Sequence, residues 1–441
     1  MAETVVPKEV AKKIETEHAL EEISTENDAM ILNFMSLLGM SLLGTGSSVG
    51  VVQTKLAEIG ARYNLKRVNI MSLPTALFIK FESKARPLVS FSSETVQSYR
   101  FDQTSEIFKL ADKCATDFVP PLDGQNRLQE IEKLAPRFTP EKRILGYVLL
   151  AEGVLLNLSP SWRELIVTGV LAVIVAVFRL RALPRGYFSV LLPSIASFSV
   201  TTLALVLDYF HVGAATLKPV IPALVIFLPG GAMATATIEL AIGDIVSGAS
   251  RFMTALFQLV LLTLGMTAAV LLIRLPSSEV YESIQVQYAG LLGAFLFASG
   301  LYFNMCAPKK SYGWILAVVI VTFLAQSLLR ATLGEFSGLL FASMIATPLC
   351  YFISEKIKGP PFLILYLPTL WFLVPTAVAV SGLGRLIGKS QLDGMQDFVI
   401  TVIAIISTGI GTLIGTWIYD LVVAPIFPRG KQVKTPQTPP S

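Results

Sequence analysis

Residues 228–251 run Leu-Pro-Gly-Gly-Ala-Met-Ala-Thr-Ala-Thr-Ile-Glu-Leu-Ala-Ile-Gly-Asp-Ile-Val-Ser-Gly-Ala-Ser-Arg and concentrate the groups able to do chemistry. Two carboxylates, Glu239 and Asp244, and one guanidinium, Arg251, stand among small and apolar side chains. Pro229 removes an amide donor and displaces a carbonyl, so polar main chain is exposed next to Gly230 and Gly231. Ala232, Ala234, Thr235 and Thr237 leave space beside it. Such a set suits a proton or a small zwitterion: a carboxylate receives an ammonium, and a guanidinium or free amides receive a carboxylate. With 244–251 as one helix, Asp244 and Arg251 lie two turns apart on one face and can pair. The plainer use of the same residues is a salt bridge where a helix enters a membrane.

The elements that must position these groups are apolar. Of 441 residues, 53% are hydrophobic and 15% charged, with a mean hydropathy of +0.65. A soluble chain carries about 25% charge to cover its surface, so this composition predicts an α-helical polytopic membrane protein. Ten apolar segments are expected to span, at 144–159, 163–181, 187–207, 219–238, 252–274, 286–305, 312–330, 335–353, 361–382 and 398–424. Most reach the ~20 residues a bilayer requires.

Arg137, Lys142, Arg143, Arg179, Arg181, Arg185, Lys309, Lys310, Lys356, Lys358, Arg429, Lys431 and Lys434 then share one side. They outnumber Arg163, Lys218, Arg274, Arg330, Arg385 and Lys389 on the other, which puts both termini in the cytosol.

The fourth and ninth segments are both interrupted by proline, Pro229 within 225–240 and Pro375 within 370–386. Each is followed by a polar break holding an aspartate, Asp244 or Asp393, and then by another apolar run. Five spans repeated once place the halves upside down relative to each other. The expected architecture is therefore two inverted five-helix repeats, 141–275 and 285–426, with matched broken helices at the substrate site. The plainer alternative is a pair of ordinary packing kinks.

Elsewhere in the spans, Glu152 lies deepest by sequence position and is assigned with Asp244 to proton coupling. Asp208, His211, Glu335 and Asp420 sit nearer segment ends, where interface placement explains them. Ser407, Gly411 and Gly415, and likewise Gly384 and Gly388, read as helix-packing stripes.

Ahead of the spans, residues 1–28 form a polar tail expected to be mobile or a frayed helix, and 29–140 a small cytosolic α/β domain. Its expected parts are a core helix Met30–Leu43, a Gly44–Gly50 turn and a helix Val49–Tyr63. Strands Lys66–Met71, Ala76–Phe81 and Pro87–Phe91 and a polar helix Thr104–Phe118 complete it. The glycines of 44–50 neither follow a strand nor fit the dinucleotide spacing. Residues 427–441 are basic, proline-rich and expected to be disordered.

Catalysis, cofactors and metals are not indicated. Two histidines and three scattered cysteines make no metal spacing, and no nucleophile-elbow or zinc-protease motif occurs. A net charge of +4 without a basic stripe argues against nucleic acid as a partner.

The segment Leu228-Pro229-Gly230, then Glu239, then Gly243-Asp244-Ile245-Val246-Ser247-Gly248-Ala249-Ser250-Arg251 resembles the signature of the threonine/serine exporter family, including its fungal pheromone-regulated membrane members. The helix–Gly46-Ser47-Ser48–helix arrangement and the Arg67–Ile70, Pro74-Thr75, Ala76–Phe78 hairpin are similar too, so the resemblance runs over about residues 30–425. Ile238 stands where many members carry arginine, and Thr376 where a glycine would follow Pro375.

The resemblance implies proton-driven export of small polar amino acids, or of a small dicarboxylate as in split bacterial relatives. With the residue reading, it marks Pro229, Gly230, Gly231, Thr235, Glu239, Asp244, Ser247, Gly248, Arg251 and Pro375 as substrate-binding candidates. The expected partners are a small amino acid, protons and the lipid bilayer. A structural membrane protein on the same scaffold, no longer transporting, is the alternative.

Overall fold

The computed structural model describes residues 8–83, 87–93, 98–158, 160–181, 187–210, 218–273, 289–373, 391–423 and 425. Two compact units are formed, one by residues up to Tyr99 with Glu106–Ala135, the other by Arg100–Ser105 and residues from Pro136 on.

In the first unit, α1 (Lys8–Gly44) is longer than the expected core helix: it runs back through the polar segment without a break. Gly46, at φ +89°, turns the chain into α2 (Val49–Arg62), and the Thr45 and Ser47 hydroxyls bond to each other at 2.8 Å inside that turn. The Gly-Ser segment is thus a helix–helix turn. Strands β1 (Lys66–Leu73), β2 (Ala76–Glu82) and β3 (Pro87–Ser92) form an antiparallel sheet, with Leu73 opposite Ala76 across the Pro74-Thr75 turn. Alternation along β2 sends Leu77, Ile79 and Phe81 into a core shared with Phe34, Met35, Leu38, Leu56 and Ile59, all fully buried. The unit also contains Glu106–Thr116 of α3 (Phe101–Thr116) and all of α4 (Pro121–Glu132). Helix α4 was not expected from the sequence, because it is largely polar and buries only Gly124, Leu128 and Ile131 along one narrow stripe, with Leu122 left exposed.

The second unit is helical among its described residues. In order come α5 (Pro140–Leu156), α6 (Trp162–Arg181), α7 (Tyr187–Tyr209) and the single turn α8 (Val220–Ala223). A 3-10 turn (Val225–Phe227) leads to α9 (Gly230–Ala241) and α10 (Ile245–Leu272). Then follow α11 (Ala289–Asn304), α12 (Tyr312–Leu333), α13 (Glu335–Glu355), α14 (Phe362–Leu373) and α15 (Gln391–Ile418). Among the described residues five segments are long and apolar enough to cross a membrane: Val190–Tyr209, Ile245–Leu272, Lys309–Leu333, Phe336–Glu355 and Val399–Val423. Val225–Ala241, Ala289–Asn304 and Phe362–Leu373 are apolar but shorter.

Helices approach most closely where side chains are smallest. A Cβ on Gly146 would meet the Gly300 carbonyl at 2.9 Å, and one on Gly153 the Gly293 carbonyl at 2.7 Å, so α5 and α11 cross antiparallel, backbone on backbone. A Cβ on Gly265 would lie 2.1 Å from Ser197 Oγ of α7, and one on Gly411 2.1 Å from Ser343 Oγ of α13. Apolar side chains gain little by leaving lipid for protein, so close contact of small residues supplies the cohesion.

Candidate functional site

The fourth apolar segment is broken as expected. Helical geometry stops at Phe227, Leu228 is extended, and Pro229 occupies the N-cap of α9 at φ −83°, ψ 38°, with no side-chain cap. The first bond of α9 runs from the Met233 amide to the Pro229 carbonyl at 3.0 Å. The amides of Gly230, Gly231 and Ala232 precede it and have no acceptor among the described residues. Gly230 and Gly231 are buried. A buried amide without a partner costs about 1–3 kcal/mol, and the helix dipole adds partial positive charge at the same point.

Side chains from other helices seal the carbonyls on the far side of the break. Tyr147 of α5 donates its hydroxyl to the Ala223 carbonyl at 2.7 Å, and Gln258 of α10 donates Nε2 to the Phe227 carbonyl at 2.8 Å. The Ala223 and Phe227 carbonyls are thus satisfied where the donors at α9 are not. Trp371 of α14 closes in on the same place, since a Cβ on Gly231 would lie 2.5 Å from its Nε1. Sequence reasoning missed all three residues. Gln258, a lone amide in an apolar run, was visible as an oddity, but Tyr147 and Trp371 carry no local signal.

Beyond α9 the chain reverses tightly. Gly243 takes φ +93°, and the Asp244 amide returns to the Glu239 carbonyl at 2.8 Å. A Cβ on Gly248 would meet the Ala236 carbonyl at 2.8 Å, so only glycine lets the start of α10 lie against α9. The Gly-Asp-x-x-Ser-Gly spacing therefore builds a helical hairpin. Ser247 is buried in it, and Thr235 is buried on α9.

The ion pair in this hairpin differs from the expected one. Arg251 Nε lies 3.1 Å from Glu239 Oε1 and 3.0 Å from Oε2, with Glu239 wholly buried. Asp244 precedes the first turn of α10, so it does not share a helical face with Arg251 as expected; it is half-buried at the N-cap, with no side-chain cap bond. The reversal at Gly243 carries Glu239 back beside Arg251.

Glu152, on α5, is away from this hairpin in sequence and faces α6, where the missing side chain of Gly169 makes room for it. Its Oε2 is buried with no hydrogen-bond partner among the described residues. Pro375, His211, Gly384, Gly388, Arg385 and Lys389 lie outside the described residues, as does the side chain of Asp393. Among the described residues no cluster of three or more His, Cys, Asp or Glu is placed to hold a metal ion.

The family model described as "Putative threonine/serine exporter" matches residues 33–273. The chain belongs to the threonine/serine exporter family. Family membership and the apolar helices together make it an integral multi-pass membrane protein of the exporter class. The match ends just past α10, so it covers the Pro-Gly break and the Glu239–Arg251 hairpin and is shorter than the span of the motif resemblance. No curated protein and no solved structure matches the chain.

Proposed function

We propose that this exporter-family protein is a proton-coupled secondary exporter of small polar amino acids, threonine- or serine-like. Its membrane part is ten spans in two inverted five-helix repeats, preceded by the cytosolic 29–140 domain, with both termini in the cytosol. The observation that carries the site is the buried start of α9, where the Gly230 and Gly231 amides have no acceptor among the described residues and Trp371 of α14 packs against them. A substrate carboxylate takes these amides, as half-helix termini do for anionic groups in transporters. Thr235 lies one turn further in, and the carboxylates of Glu239 and Asp244 serve the ammonium. Arg251 holds Glu239 in place until the zwitterion arrives. Glu152, with its unpartnered buried oxygen, carries the proton.

Matching contacts support the repeat. Gly146 and Gly153 of α5 and its C-cap Asn157 recur at the same intervals as Gly293, Gly300 and Asn304 of α11. The Ser197–Gly265 contact of α7 with α10 recurs as Ser343–Gly411 of α13 with α15. At that same offset the sequence sets Pro375 opposite Pro229 and Gly394 opposite Gly248. It also sets Arg385 and Asp397 opposite Glu239 and Arg251, with the signs exchanged.

The test is flux from liposomes containing the full chain, under an imposed pH gradient, against a panel of serine, threonine and a small dicarboxylate. Serine or threonine should move faster with the gradient. Glu152→Gln should remove the pH dependence while leaving exchange, and Asp244→Asn should weaken flux about tenfold or more, the usual loss for a charge-assisted contact. A wild-type flux indifferent to the gradient across the whole panel would overturn the coupling, and an unimpaired Asp244→Asn the site.

A further inference from the structure

A second concentration of charge lies where α5 begins and α6 and α11 end. The antiparallel crossing of α5 and α11 puts the first turn of one beside the last turn of the other. Helix α6 returns from the far end of α5 and finishes there too. Arg143 stands in the first turn of α5, Arg179 in the last turn of α6, and Asn304 closes α11. Arg179 Nη1 donates to Asn304 Oδ1 at 3.2 Å, and Asn304 Nδ2 donates to the backbone carbonyl of Arg143 at 3.2 Å. Asn304 is only 7% exposed, so this amide is a buried spacer between the two arginines.

Among the described residues no acid pairs with either of them. Among the described residues Arg143 makes no side-chain hydrogen bond or ion pair, and its Nε is buried without a partner. Among the described residues Arg179 has Asn304 as its one side-chain hydrogen-bond partner, with Tyr147 nearby and Arg143 repelling its charge. The neighbouring groups are already engaged. Tyr147 donates to the Ala223 carbonyl, and Asp102 is held by Arg100 at 3.1 Å. Arg137 donates to the Ala307 carbonyl and lies over the Phe138 ring. Two half-buried like charges raise the energy of the unliganded protein, and a negative group between them would reverse that sign. Guanidinium forks fit the paired oxygens of a carboxylate or phosphate, which the point charge of lysine would not do as well.

We propose that Arg143 and Arg179 form an oxyanion-binding site, in which a carboxylate or phosphate group is held between the two guanidinium groups beside Asn304. The ligand oxygens accept from Arg143 Nε and from the Arg179 N–H groups that Asn304 leaves unused. A free amino acid supplies this chemistry through its carboxylate, and a lipid through its headgroup phosphate. The site shares no residue with the α9 break, so it stands or falls independently of the export reading.

The experiment uses the full chain in phosphatidylcholine nanodiscs, with and without phosphatidylglycerol. Inorganic phosphate, N-acetylthreonine (carboxylate without ammonium) and threonine amide (ammonium without carboxylate) are titrated while thermal midpoint and calorimetric affinity are recorded. Phosphate or N-acetylthreonine should raise the midpoint, threonine amide should not, and Arg143→Gln should weaken binding about tenfold or more. If phosphatidylglycerol raises the midpoint and abolishes the response to soluble anions, the source is lipid. If the soluble anions raise the midpoint equally with and without phosphatidylglycerol, the source is a solute. Asn304→Asp, which places a carboxylate against Arg179, should raise the unliganded midpoint and cancel the response. The site is refuted if no oxyanion or anionic lipid shifts the wild type, if Arg143→Gln and Arg179→Gln respond as it does, or if Asn304→Asp lowers the midpoint and keeps the response.

Discussion

At the α9–α10 hairpin opposite charges meet, Glu239 with Arg251, whereas at the α5–α6–α11 end like charges meet, Arg143 with Arg179. Both places are at least half-buried and both are built by close helix packing. The difference lies in what each arrangement leaves unsatisfied. In the hairpin the charges answer each other, and what remains open nearby is neutral main chain at Gly230 and Gly231. At the arginine end the main chain is bonded and the charge is open. A buried charge with its partner acts as a clasp, and a buried charge without one is a place for something to bind.

Removing one partner at each place breaks or sharpens this contrast. Arg251→Gln removes the cation bonded to a wholly buried Glu239 and should lower stability by about 3–5 kcal/mol, read as loss of thermal midpoint in the purified full chain. The double change Glu239→Gln with Arg251→Met should recover most of that. Arg143→Gln or Arg179→Gln, measured without anions, should leave the midpoint unchanged or higher, since each removes a repulsion. Equal losses at both places would erase the distinction.

A smaller effect is expected at the turn that forms the clasp. Gly243→Ala at φ +93° should cost about 1–2 kcal/mol and lower the midpoint without altering anion binding at Arg143. The smallest belongs to the first unit, where charges are paired but wet. Burial pulls the Lys55 ammonium down, but Asp112 at 2.8 Å and Glu58 together raise it above its ordinary value. Asp112 is largely exposed, so Asp112→Asn should cost less than about 1 kcal/mol. The folded-state value is the raised one, so what stability the pair contributes is present at neutral pH and fades only as alkaline pH approaches that value. A large loss at neutral pH would show that exposure does not separate this pair from Glu239–Arg251.

Much of the fold was legible because it depends on local pattern. Apolar runs set where helices lie, alternation along Ala76–Glu82 set the sheet face, and Pro74-Thr75 marked the hairpin turn. The helix break at Pro229 was legible for the same reason, since a proline's missing donor is a property of one residue. Less legible were α4, whose largely polar composition hides a narrow buried stripe, and the backward extension of α1 through a charged segment. The candidate site was read as a list of the right neighbourhood with the wrong pairing. Spacing along one helix suggested Asp244 with Arg251, because counting residues assumes the helix has already begun; it begins at Ile245.

By itself, then, the amino-acid order determined that this chain is built of membrane helices, that one of them breaks before two glycines, and that acids and an arginine follow. Composition and backbone stereochemistry act residue by residue and need no partner to be known. Which groups face one another was decided only in three dimensions. Trp371 against Gly231, Tyr147 on the Ala223 carbonyl, Glu239 on Arg251 and Arg179 across Asn304 from Arg143 each join distant positions. Electrostatic and hydrogen-bond energies fall off over a few ångströms of space, and separation along the chain does not report that distance.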